Sequence, residues 1–157
     1  MRRLRGVVRL PGALKVSRAS SSVVFLTPLR RHGDLALLLL RLLVGAFLVW
    51  GVSDNIADAG HMREFEQFLA RFGFPVPAFS ARLSVWAQAA VGIAFIFGLL
   101  TRWAGIVCIV NFVVAIVMVD IHGGIRTAFP SACLVAIGLY LATHGAGRFS
   151  VDRLLES

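Results

Sequence analysis

LALLLLRLLVGAFLVWGVSDNI, residues 35–56, is the stretch that decides the fold. At about 1.5 Å of rise per residue it is long enough to cross a hydrocarbon core of ~30 Å. One charge, Arg41, interrupts it before Asp54. Three further apolar runs follow, at about residues 81–100, 103–121 and 126–143. Each is read as a helix, because an open strand would leave backbone groups unpaired in lipid. The links between the last three are only a few residues long, which forces antiparallel neighbours. The predicted fold is all-α, an integral membrane four-helix bundle. The whole chain agrees: of 157 residues 58% are hydrophobic and 15% charged, too little polar surface for an ordinary soluble domain.

The first link is longer and reads differently. Between Asp58 and Ser80, Met62, Phe65, Phe68, Leu69 and Phe72 recur at helical spacing, while Arg63, Glu64, Glu66, Gln67 and Arg71 take the opposite face. Gly73 is a stop, and Pro75 and Pro77 prevent continuation. This predicts an amphipathic helix lying on the membrane or capping the bundle, in the first extracytoplasmic link.

Two domains are expected: a basic tail at 1–33 and a membrane domain at 34–157. The tail carries eight Lys or Arg and no acid. It reads as a disordered or surface-lying segment, with a transit segment or a start assigned too far upstream as alternatives. With the N-terminus inside, that side holds the tail's eight basic residues plus Arg102, Arg148 and Arg153, eleven in all. The other side holds four, Arg63, Arg71, Arg82 and Arg126. The excess predicts a plasma-membrane (inner-membrane) protein with both termini cytoplasmic. Trp50 and Trp86 then approach the outer interface and Trp103 the inner one. The net charge of +8 is read as membrane-directed, and no nucleic-acid partner is expected.

Arg41 is the sharpest chemical signal. A charge inside a span costs at least about 2.5–3.5 kcal/mol on insertion scales. It therefore snorkels, pairs with helix-end carbonyls at the inner hairpin, or contacts a headgroup, an anion or a quinone carbonyl. Gln88 and Asn111 fall near mid-depth on neighbouring antiparallel spans. A direct amide hydrogen bond is one reading, and a polar site for a quinone or small solute is the other. Together Arg41, Gln88 and Asn111 are the ligand-binding candidates.

Ala104, Cys108, Asn111, Ala115, Met118 and His122 share a face of the third span, and Ala128, Ala132 and Ala136 share one of the fourth. Small residues on such faces predict close packing. Cys108 and Cys133 have no base or second thiol nearby in sequence and read as packing residues. Asp54, Asp120, His122 and Arg126, with Asp58 and His61, collect at the outer ends, as interfacial polar groups or as groups that handle a proton or ligand. Their spacing matches no metal-ligand pattern, so no metal is expected. No phosphate loop, nucleophile elbow or haem motif is present.

Several pieces carry a family resemblance. They are Leu40-Arg41-Leu42 with Gly45, Phe47 and Gly51; Phe68 to Ala78; Gly92; Gly98-Leu99-Leu100-Thr101-Arg102; and Gly147-Arg148-Phe149-Ser150-Val151-Asp152. In this order they resemble the DoxX family of small four-helix bacterial membrane proteins. Asp54 and Gln88 stand where relatives usually carry Lys and Glu. The resemblance implies a membrane-embedded bundle and, in some relatives, a part in thiosulfate:quinone oxidoreduction or an oxidative-stress complex. The expectation is an accessory or anchoring subunit of a quinone-linked redox system, not an enzyme as an isolated chain. Quinone is the cofactor class in view. The lipid bilayer, an oxidoreductase and a second copy of the chain are the partners. The alternatives are an oligomeric small-solute permease and a purely structural assembly protein.

Overall fold

The computed structural model describes residues 32–155; the basic block at 1–31 lies outside them. The order is α1 (Gly33–Ala57), α2 (Ala59–Arg71), α3 (Pro77–Phe97), α4 (Thr101–Met118), a short 3-10 turn (Asp120–Gly123), α5 (Ile125–His144) and α6 (Val151–Leu155). α1, α3, α4 and α5 are long and apolar enough to cross a membrane. The chain is a multi-pass membrane protein whose long helices meet the lipid bilayer.

Local chemistry sets the helix ends. α3 starts four residues earlier than the apolar run suggests, at Pro77, because the first helical turn needs no N–H from proline. It stops at Phe97, where Gly98 takes φ 66° and its N–H returns to the last turn. α4 begins at Thr101 and ends at Met118, earlier than expected, and the next residues tighten into the 3-10 turn. α5 runs through Pro130 without a break. α2 is capped by Asp58, whose carboxylate accepts from Gly60 N at 2.8 Å.

One core joins all four spans. Val44 and Leu48 of α1 meet Val91 and Phe95 of α3, Ala104, Cys108 and Phe112 of α4, and Leu134 and Leu141 of α5. In lipid, helices associate through close packing, not water exclusion. Two glycine crossings supply it. A Cβ on Gly45 would stand 2.6 Å from Gly92 O, joining α1 to α3. A Cβ on Gly105 would stand 2.6 Å from Gly138 O, joining α4 to α5. Outward faces carry large apolar side chains in the open, such as Leu43, Trp50 and Trp103. Such a surface suits acyl chains.

α2 is fastened across one end of the bundle. Met62 and Phe65 pack on a second small core of Val52, Val85 and Ala89. Arg82 Nη2 lies 2.9 Å from Glu66 Oε1, tying α2 to α3.

Candidate functional site

The polar residues fall into two separate places. The first, at one end of the bundle, is built on Arg41. The side chain is 1% exposed, so it does not snorkel. Nε donates to Phe95 O at 2.9 Å, and Nη2 to Ile96 O at 3.4 Å. Nη1 donates to Phe149 O at 3.0 Å and to Ala146 O. These carbonyls stand at the end of α3, where Phe95 O also accepts from Gly98 N at 3.3 Å, and in the chain leaving α5. The planar fork of donors suits several fixed acceptors at once. Gly98 makes room: a Cβ there would stand 2.6 Å from Arg41 Nη2.

The same end is locked by Asp152. Its carboxylate accepts from Leu100 N at 2.6 Å and Thr101 N at 2.9 Å, and its own N–H donates to Gly98 O at 2.9 Å. Leu100 stands at φ 48°, a left-handed conformation costing about 1–2 kcal/mol for a residue with a side chain. A carboxylate at the amino end of α4 offsets that cost and satisfies two otherwise free N–H groups. Arg148 N donates to Asp34 at 3.3 Å, so the start of α1 and the segment after α5 sit at one end. Asp152→Ala is expected to destabilise the protein by about 1–2 kcal/mol, measured as a lower thermal midpoint in detergent. An unchanged midpoint would show that the cap is idle.

The second place is a cleft of about 720 Å³ between α3 and α4, bounded by α2. Phe65, Phe68 and Phe74 line its α2 side, and Leu83, Val107 and Val110 its lipid side. Gln88 and Asn111 both line it, with Ser84 between them. They do not bond directly. Gln88 Nε2 donates to Ser84 Oγ at 3.2 Å, and Ser84 Oγ donates to Asn111 Oδ1 at 2.9 Å. The serine four residues before Gln88 sits on the same face of α3, a spacing that could have marked it. With its oxygen engaged, the Asn111 amide keeps N–H donors for a ligand.

The candidate ligand set is thus divided. Gln88 and Asn111 line the cleft, whereas Arg41 ties the opposite end and does not line it. The other polar candidates also part company. Asp120 accepts from Ser131 Oγ and lines the cleft. His122 rests against the Phe72 ring at 5.8 Å and its Nδ1 is 3.3 Å from Val119 O. His61 Nδ1 is 3.7 Å from Asp58. Among the described residues no ion pair includes Asp54, Asp120 or Arg126, and no group of three or more metal-binding side chains forms. Cys108 is buried and lies 3.7 Å from Leu134 O; Cys133 is half-buried.

Comparison with known families fits this architecture. The DoxX family profile matches residues 36–121, more than half of the chain. The chain belongs to the DoxX family. The matched DoxX region spans α1 to the 3-10 turn, so it contains Arg41 and the whole α3–α4 hairpin. The carbonyls of Ala146 and Phe149, and the Asp152 carboxylate, lie beyond the match. Among curated proteins and solved structures nothing matches the chain.

Proposed function

We propose that this DoxX protein is an accessory or anchoring subunit of a quinone-linked redox system in the plasma membrane, and that the α3–α4 cleft receives the quinone. The single observation behind this reading is the composition of the cleft wall. It is mostly apolar; its polar lining is the Ser84–Gln88–Asn111 chain together with Ser80 and Asp120, the latter engaged by Ser131. A quinone needs this combination: an apolar body and tail, and N–H donors for its carbonyl oxygens. Leu83, Val110 and Val114 line the cleft and are exposed, which gives a lipid-dissolved ligand a lateral way in. In this reading the Arg41 end faces the cytoplasm and the cleft lies in the outer half of the membrane, an orientation that the Lys/Arg excess supports. In this reading electron transfer falls to an oxidoreductase partner.

The test is quinone content. Protein purified in mild detergent is expected to carry lipid quinone, and Asn111→Leu to lose about tenfold of it, the worth of a good hydrogen bond in an apolar site. Quinone absent from the wild type, together with an unaltered quinone pool in a deletion strain, would overturn the reading.

A further inference from the structure

We infer that a second cavity, at the Arg41 end and outside the redox cleft, binds the phosphate of an anionic lipid headgroup. The cavity measures about 530 Å³ and lies where α4 begins and α5 ends, the level at which spans meet headgroups. Arg102, Arg148 and Arg153 line it, against two carboxylates, Asp34 and Asp152. Asp152 is engaged on the amino end of α4, and Asp34 accepts from Arg148 N and lies 4.0 Å from Arg148 Nε. Three arginines against two carboxylates leave the lining with one positive charge in excess, and Arg102 and Arg153 form no ion pair with either carboxylate among the described residues.

Arg102 is held in place. Its Nη1 donates to Thr143 O at 3.1 Å and Ala142 O at 3.4 Å, the free carbonyls of α5. The same guanidinium lies along Gly145, where a Cβ would stand 3.5 Å from Nε. Among the described residues nothing accepts from Nε or Nη2, so a fixed pair of N–H groups is available. A planar pair of this kind matches phosphate oxygens. Thr101 also lines the cavity, and its buried hydroxyl has no hydrogen-bond partner among the described residues.

The walls favour a lipid over a free anion. Leu100 and Trp103 line the same cavity and are 61% and 69% exposed, an apolar flank along which acyl chains can run. A tryptophan at this depth is the usual marker of the headgroup layer.

The experiment is native mass spectrometry of the full chain released from detergent, titrated with phosphatidylglycerol, phosphatidylcholine or inorganic phosphate. Phosphatidylglycerol is expected to bind at least about tenfold more tightly than phosphatidylcholine, and Arg102→Gln with Arg148→Gln to remove that preference. Arg63→Gln with Arg71→Gln, an equal loss of charge on α2, is expected to keep it. Thermal midpoints without lipid establish that both double variants are folded. Should the pair on Arg102 and Arg148 not fold, Arg153→Gln alone is expected to weaken phosphatidylglycerol by about threefold. Equal binding of the two lipids overturns the inference. So does an equal loss in the α2 double variant, which would mean bulk charge. Inorganic phosphate binding through Arg102 and Arg148 without a lipid preference would overturn the assignment to a lipid.

Discussion

Arg41→Leu is expected to deplete the folded protein from the membrane, not merely to silence it. The side chain satisfies carbonyls from two chain segments, at 95–96 and 146–149. Phe95 O keeps its bond from Gly98 N, but removing Arg41 leaves Ile96 O, Ala146 O and Phe149 O without it, at about 1–3 kcal/mol for each that water does not reach. A total of at least about 3 kcal/mol is a large part of ordinary stability. The new leucine is also more compatible with lipid than arginine, so insertion itself is not the weak step. The measurement is membrane-fraction abundance with fluorescence-detected size exclusion. Arg41→Lys is expected to fall between, since one ammonium cannot replace a fork that reaches four carbonyls. A monodisperse Arg41→Leu protein at wild-type level, with only the linked redox activity lost, would return Arg41 to the role of a ligand contact.

The second large effect is expected at the α4–α5 crossing. Gly105→Val puts a branched side chain where even a Cβ would stand 2.6 Å from Gly138 O and 2.9 Å from Ala142 N. Both obstacles are backbone, so no rotamer change relieves them, and the helices must separate. Overpacking usually costs about 1–3 kcal/mol, and this site belongs at or above the top of that range. Separation would also break the contacts of the buried Cys108 with α5. Gly51→Val is the matched control, because a Cβ at Gly51 meets nothing within 4 Å. The expected result is a thermal midpoint several degrees lower for Gly105→Val and little changed for Gly51→Val. Equal midpoints would mean that the crossing is looser than the geometry states.

Much of this architecture is legible in the chain because lipid leaves few options. A run such as 35–56 must satisfy its own backbone, so length and hydropathy alone indicate four spans. The face of α2 is likewise explicit in the spacing of Met62, Phe65, Phe68 and Leu69. Helix ends are less legible. Pro77 starts α3, where no N–H is needed, whereas Pro130 sits inside α5 and the helix continues past it despite the N–H it lacks toward Arg126 O. The polar residues are the least legible. Depth along a helix correctly suggests that Gln88 and Asn111 are neighbours, but not that Ser84 stands between them, since one turn of rotation decides which atom bridges.

Composition and periodicity by themselves determined that this is a multi-pass helical membrane protein with an amphipathic element after the first span. These follow from the solvent, which acts on every residue of a segment alike. Only the tertiary structure decided that Arg41 belongs to a closing knot, while Gln88 and Asn111 belong to a cleft. Its carbonyl partners are up to 108 residues away along the chain, and backbone acceptors carry no side-chain identity that a sequence pattern can display.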